Sequence, residues 1–597
     1  MKYSDYFIDS LVKLGYTHCF FVNGGNVMHL IESARTRMKC IAVVNEVSAG
    51  IAAEYFNVTN RENNQRAIVI VTAGPGITNV VTAVAGAWLE SRELLVIGGQ
   101  ARTEFLSRGT VRQMGHQEID GVSILSSITN KSVRVETPLK FGEIAKLADI
   151  SKDGRKGPVF MEMCLDVTAT EINFEVPSNI QSNNSIAKSN TSRKEVKKLS
   201  DLISKSSRPM FLIGGGLDYK DFKKSLPTLR KLGIPIATTW NTVDYLDYDD
   251  ELYAGRPNTY GMRWSNIAIQ QSDLLISVGA RLGLQQTGFA WDQFVPNGKI
   301  VQVDIDKFEL NKANPGIDLK VLTDAGEFLN EFVLNYEIDD EVNFTSWLNF
   351  ISEVKNSLPI VDPGNQLFDG YANPFKVVYE LGTLLNSNDQ VTCCSSGGSY
   401  TSMMQAFPQK TGQLLTNNKA LASMGYGLAG AIGTALAFPE KRTILVEGDG
   451  GFAQNLSEIG TVANNKLNLK MFIFSNGGYA SIRISQKAYF DGKYIGCDVT
   501  SGLELPNWAE IFDAYGIPSV EISDLITSSG KALDLLNAPG PAAFIVKIHE
   551  DQPFLPKVTS TLSSDGSMKS NPIHLMNPPL DSELQSKLFK YISVQHE

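Results

Sequence analysis

The sequence lacks any apolar run near the ~18 residues that a membrane-spanning helix needs, so no such helix is expected. Its first residues, MKYSDYFIDSLVKLGY, carry polar and charged side chains where a signal peptide needs an apolar core. They read instead as an amphipathic helix that opens the fold. Cysteine is scarce: Cys19, Cys40, Cys164, Cys393, Cys394 and Cys497 are the only six, and no two form a CxxC pair. Thiolate zinc is therefore not expected, and a reducing, cytoplasmic location is. Basic charge is in deficit, with a net charge of −10 and no cationic stripe interleaved with aromatics. That argues against a nucleic-acid partner. A hydrophobic content of 43% and a charged content of 20% are those of an ordinary globular chain.

What is present is α/β patterning. Buried-strand runs that end in glycine, such as AIVIVTAGPGITN and ELLVIGGQ, alternate with helical periodicity over residues 1–176, as a parallel sheet requires. The polar stretch 177–195 reads as a linker. A second block, 196–340, carries PMFLIGGG, IPIATTW, LLISVGARLG and IVQVDID as strands. Residues 341–375 read as an irregular linker, 376–558 as a third α/β block, and 559–597 as a tail with one short helical pattern near its end.

The stretch EGDGGFAQNLSEIG, 447–460, follows an apolar run and precedes helical spacing at Leu456, Ile459 and Ala463. Asn455 with Glu458 fits a helix-start pair. Glycines at such a step admit a phosphate, and Asp449 beside a phosphate requires a divalent cation between them. Asn476, at the end of the next strand-like run MFIFSNGGY, stands where it reaches the same cation across a crossover helix of about a dozen residues. Hard oxygen ligands of this kind suit Mg²⁺ or Ca²⁺.

A GDG followed some two dozen residues later by Asn resembles the signature of thiamine diphosphate-dependent enzymes. The resemblance implies Mg²⁺ on Asp449, Asn476 and the carbonyl of Gly478, with Gly450 and Gly451 offering N–H groups to the diphosphate. It also implies a buried glutamate against the cofactor's pyrimidine, and Glu46 in CIAVVNEVSAGIAAEYF is similar to it. Asn45 stands before it where the family usually has His. TAGPGITN, 72–79, resembles the strand–turn–helix that follows, and HQEID with ITNKS resembles the active-site loop, with Gln117 and Lys131 in the matching places. LASMGYGLAGAIG, 421–433, resembles the segment facing the aminopyrimidine, with the carbonyl of Ala422 and the side chain of Met424 as contacts. Gly398 and Ser399 in SSGGSY, and Tyr479 beside the metal loop, complete the expected cofactor set.

The resemblance covers nearly the whole chain and implies an α/β protein of three doubly wound parallel-sheet domains: pyrimidine-binding, central and diphosphate-binding. It is nearest to the acetolactate synthase-like group, especially members from sugar and polysaccharide pathways. The implied reaction is decarboxylation of a 2-oxo acid such as pyruvate, followed by transfer of the two-carbon unit to a carbonyl acceptor. It implies a homodimer or homotetramer with sites between subunits. His116 stands where the group usually has Phe, and Leu165 where it usually has Lys. An aldehyde or keto-sugar acceptor is expected from those departures. Whether His116 contacts that acceptor's hydroxyls or is a satisfied polar loop residue stays open. FAD in the central block also stays open, with Arg281 as its candidate contact. The alternatives are a non-oxidative decarboxylase, a flavin-linked oxidase, or a catalytically silent binding homologue.

Overall fold

The computed structural model describes residues 1–63, 65–178, 193–336, 343–394, 396–562 and 568–592. Most of the expected linker 177–195 lies outside the described residues. The opening helix, Tyr3–Lys13, buries Tyr3, Tyr6, Phe7 and Leu11 and leaves Lys13 outward, as its periodicity requires.

Each of the three blocks forms a parallel sheet. The first contains β1 (Tyr16–Phe21), β2 (Lys39–Ala42), β3 (Arg66–Val71), β4 (Leu94–Gln100), β5 (Lys131–Val135) and β6 (Pro158–Cys164) in the order β2-β1-β3-β4-β6-β5. The second contains β7 (Pro209–Ile213), β8 (Ile236–Thr238), β9 (Leu274–Val278), β10 (Lys299–Asp304) and β11 (Leu319–Leu322) in the order β11-β10-β9-β7-β8. The third contains β12 (Gln390–Cys393), β13 (Leu414–Thr416), β14 (Thr443–Gly448), β15 (Leu469–Ser475), β16 (Ser519–Ile522) and β17 (Ala542–Lys547) in the order β13-β12-β14-β15-β17-β16. The central strands are buried on both faces, which is why they read as continuous apolar runs rather than alternating ones. Chain direction across each sheet reverses between β1 and β3, between β7 and β9, and between β12 and β14. Ligands of such sheets bind at those switch points, beyond the carboxyl ends of the strands.

The first and third domains share one hydrophobic core. The helix Glu46–Thr59 lies against the helix Tyr426–Ala437, whose residues are all buried. The two backbones nearly touch: a Cβ built on Gly433 would stand 2.0 Å from the carbonyl oxygen of Ala52, and one on Gly430 would meet the ring of Tyr55 at 2.7 Å. The stretch 341–375 is not irregular throughout. It carries the helix Thr345–Ser357, whose Trp347, Phe350, Ile351 and Val354 enter the central domain's core. The tail returns to the same core through Ile573, Leu588 and Phe589, with its expected helix at Ser582–Leu588. Among the described residues no helix is long and apolar enough to cross a membrane.

Candidate functional site

At the third domain's switch point, β14 ends at Gly448 and Asp449 begins the short helix Asp449–Ala453. Asp449 is buried, and its carboxylate accepts from the N–H groups of Gly450 (2.8 Å), Asn476 (2.9 Å) and Gly477 (2.9 Å). Burial raises its carboxyl to about 6 despite those donors. Among the described residues the buried side-chain oxygen of Asn476 has no hydrogen-bond partner, an uncommon state for an amide. Gly478, at φ +150°, forms an isolated bridge with Asp498 and passes so close to that segment that a Cβ there would strike the Cys497 carbonyl at 2.0 Å. A buried carboxylate and an orphaned amide oxygen on adjoining loops fit a hard divalent cation. Among the described residues no group of three or more His, Cys, Asp or Glu side chains could hold a metal ion.

The remaining cofactor candidates surround this point. Tyr479 packs its ring on Gly450, where a Cβ would come within 2.5 Å, and Gly451 leaves room for the carboxyl of Glu447. Glu447 is buried and accepts from the N–H groups of Gly427 and Leu428 (3.3 and 3.1 Å), yet burial still pushes its carboxyl up to about 8. Ser399 is buried beside Cys394 (3.1 Å), and Gly398 is held glycine by the Phe554 ring. Ala422 adopts φ +53°, strained for a residue with a Cβ, at an exposed position. Met424 is half exposed, with its Sδ 3.8 Å from Gln454 Nε2.

Asn455 and Glu458 do not make the expected helix-start pair, because both side chains are spent on distant partners. Asn455 donates to the carbonyl of Gly425 (2.8 Å). Glu458, wholly buried, accepts from Val44 N (3.1 Å), Asn45 N (3.0 Å) and Thr461 Oγ1 (2.6 Å). The crossover is consequently broken into Asp449–Ala453, a 3₁₀ turn at Leu456–Glu458 and Ile459–Asn464, rather than one continuous helix.

In the first domain, Glu46 is the first residue of its helix, capped by Asn45, whose side chain accepts from Val47 N (3.2 Å). Asn45 thus does local backbone work in the position where His was expected. The Glu46 carboxylate is buried and accepts from Asn79 Nδ2 at 2.9 Å. Glu46 follows β2 and Gly74 follows β3, so both lie beyond carboxyl ends of that sheet. Gln117 adopts φ +58° and lays its carbonyl against Gly74, where a Cβ would come within 2.6 Å; Gly74 itself is at φ +62°. His116 is exposed, and its carbonyl accepts from Asn26 Nδ2 (3.5 Å). Glu118, invisible to motif reasoning, organises this loop. Burial would raise its carboxyl, but the N–H groups of Met114 (2.9 Å), Gly115 (2.9 Å) and Ser107 (2.6 Å) outweigh it and hold it at about 2. Leu165 follows the carboxyl end of β6, on the loop's side of the sheet. Lys131, by contrast, opens β5 and so stands at the amino end, away from the loop it was grouped with.

At the central domain's switch point lies a cavity of about 450 Å³, lined by Gly214–Gly216, Gly279, Arg281, Glu90 and Lys419 among others. Among the described residues neither the Arg281 guanidinium nor the Lys419 ammonium has an ion-pair partner. Burial lowers Lys419 to about 8, partly offset by Glu90. Glu90 joins the domains here. Its carboxylate accepts from Asn241 Nδ2 (2.6 Å) in the central domain and from Lys419 N and Ala420 N (2.6 and 2.7 Å) in the third.

Comparison with known proteins agrees with this arrangement. Three thiamine pyrophosphate enzyme models match in order: the N-terminal TPP binding domain over residues 1–124, the central domain over 196–332, and the C-terminal TPP binding domain over 396–546. The acetolactate synthase large subunit of Cyanidium caldarium is 28% identical over 549 residues, covering 89% of this chain and 91% of the relative. That of Porphyra purpurea is 28% identical over 564 residues, with 92% of each chain covered. A probable acetolactate synthase large subunit of Methanocaldococcus jannaschii is 27% identical over 573 residues, covering 93% and 94%. With its parallel sheets matched block by block and in the same order, the chain belongs to the thiamine pyrophosphate enzymes.

Proposed function

We propose that the protein is a thiamine diphosphate-dependent carboligase, acetolactate synthase-like, that decarboxylates a 2-oxo acid such as pyruvate and joins the two-carbon unit to a carbonyl acceptor. The observation that carries this reading is the buried Asp449 carboxylate beside the partnerless buried oxygen of Asn476. These two groups and the Gly478 carbonyl would hold Mg²⁺, and Mg²⁺ the diphosphate. When bound, the cofactor supplies a nucleophilic C2 carbanion and the electron sink that lets carbon dioxide leave. Glu46, held in place by Asn79, would hydrogen-bond the pyrimidine and favour its basic tautomer. Ala422 and Met424 would meet the aminopyrimidine, and Gln117 would face the substrate from the loop.

Several apolar side chains flank these positions in the open: Met28 and Val44 after β1 and β2, Phe105 and Met114 around the loop, and Tyr489, Phe490 and Ile495 after the metal loop. Apolar surface gathered around a site is what a partner chain covers. It supports a homodimer or homotetramer in which Glu46 of one subunit serves the cofactor held by another. The central cavity, with its glycine turns and with Arg281 and Lys419 on its wall, supports a place for FAD with Arg281 on its diphosphate.

An aldehyde or keto-sugar acceptor is favoured by the exposed His116 and by Leu165 where a cation was expected. The test is labelled pyruvate offered with a panel of sugars, aldehydes and 2-oxo acids, with products identified by mass spectrometry. Adducts to a sugar or aldehyde are expected. Efficient acetolactate formation with no other adduct refutes the acceptor class, and no carbon dioxide release from any 2-oxo acid refutes the whole reading.

A further inference from the structure

One stretch of chain, 449–458, runs from the metal ligand of the site this chain would hold to the backbone of the Glu46 it would lend to its partner. It begins with Asp449, and its Gln454 and Asn455 reach Met424 and Gly425. It ends with Glu458 on the backbone that leads into Glu46. We infer that Glu458 is a positioning residue for Glu46, fixing the catalytic carboxylate through the backbone of Val44 and Asn45 and tying its place to the stretch that carries the metal site.

The inference rests on Glu46 acting on the pyrimidine, as proposed above. Its own support is geometric. Packing alone does not explain Glu458, since its neighbours Leu456 and Ile459 are apolar and an apolar residue would fit the core pattern. The carboxylate is withdrawn from solvent, and such a group is tolerated where its oxygens are fully used. Here both oxygens accept from Val44 N (3.1 and 3.3 Å), one also takes Asn45 N, and the other takes the Thr461 hydroxyl. Removing the carboxylate would orphan two backbone donors at the end of β2. Asn45 is the helix cap itself, so the fork grips the residue that sets the first turn's direction, and Glu46 is the next residue. From its own domain Glu46 receives the Asn79 amide, which steers its tip. The root of the side chain is held from the other domain, by a residue 414 positions away from Val44.

The consequence is a division of labour that a mutant can separate. Glu458→Gln keeps the shape but turns an NH₂ toward backbone donors. It is expected to leave the affinity for thiamine diphosphate with Mg²⁺ unchanged, as read by quenching of intrinsic fluorescence. The same variant should slow exchange of the bound cofactor's C2 proton with deuterium on the order of 100-fold, the scale of a misplacement near 1 Å. Thr461→Val, which leaves one oxygen of Glu458 with only its 3.3 Å bond from Val44 N, should slow it less and in the same direction. Exchange by saturated Glu458→Gln at the wild-type rate overturns the inference. So does a loss confined to cofactor affinity. Should that variant not fold, Thr461→Val at the wild-type rate overturns it equally. Glu46→Gln separates the two ideas: slow exchange there with fast exchange in Glu458→Gln sinks only the positioning role. Fast exchange in Glu46→Gln sinks the reading of Glu46 and the inference with it.

Discussion

Replacing Gly433 by alanine tests the joint between the first and third domains. The added Cβ would stand 2.0 Å from the Ala52 carbonyl oxygen, 2.8 Å from its carbon and 2.9 Å from its Cα, all backbone atoms that no side-chain rotation can clear. An ordinary contact needs roughly 3.3 Å, so the helices must part by about 1 Å, in a core packed as densely as a crystal. Neither helix is free to yield, because Gly430 already sits against Tyr55 and Gly50 against Ala83. Overpacking of this kind costs about 3 kcal/mol, the upper end of the usual range. Alanine's better helix propensity returns about 1 kcal/mol. The net loss of about 2 kcal/mol corresponds to about 4–8 °C in the first thermal transition for a unit of domain size. Gly142→Ala, where a Cβ meets nothing within 4 Å, is the matched control and should melt at or slightly above the wild type. Differential scanning calorimetry of the three proteins decides it. A Gly433→Ala protein as stable as the control refutes the close backbone approach, and with it the rigid seat argued for the Glu46 helix.

Asp449→Asn should fold normally, since the amide keeps one acceptor for the N–H groups of Asn476 and Gly477, while Mg²⁺-dependent cofactor affinity falls at least 10-fold, about 1.4 kcal/mol, by titration calorimetry; unchanged affinity would remove Asp449 from the metal site. Arg92→Leu leaves Glu54 buried without its cation (2.7 Å) and should cost about 3–5 kcal/mol in denaturant unfolding. A neutral result would show the pair to be idle. Glu118 has its carboxyl held at about 2 by backbone donors, so its contribution is full above its ordinary value near 4.5 and is lost as pH falls through 2. Amide exchange at Ser107, Met114 and Gly115 should therefore rise over that acid window, and already at neutral pH in Glu118→Gln; pH-independent protection in the wild type would contradict the assignment.

Much of this site was legible because its chemistry is written in short spacings. A glycine-flanked Asp at the end of a buried run, with Asn at the end of the next, places two oxygens at neighbouring strand ends whatever the rest of the chain does. Glu46 was legible for the same reason: an acid where an apolar strand enters an alanine-rich helix. What escaped were side chains whose partners lie far along the chain. Glu458 satisfied a local helix-start rule in composition, and only the fold shows its oxygens turned to Val44 and Asn45. Asn79 and Glu118 lay inside quoted motifs, yet nothing local distinguishes an amide that steers a carboxylate from one that faces water. The helix Thr345–Ser357 could have been found, since Trp347, Phe350, Ile351 and Val354 recur at helical spacing; the proline- and glycine-rich residues after it masked the pattern. Lys131 follows the loop closely in sequence but not in space, because a strand carries its two ends to opposite sides of the sheet.

Glu90 bears on how such enzymes can be rebuilt. One carboxylate from the first domain is answered by a side chain of the central domain and by main-chain donors of the third. A central domain grafted from a relative would have to present an amide opposite Glu90, or leave that oxygen unanswered at about 1–3 kcal/mol. Chimeras cut at the interdomain boundaries would then fail at position 241 rather than at the splice, and restoring Asn241 alone should rescue them.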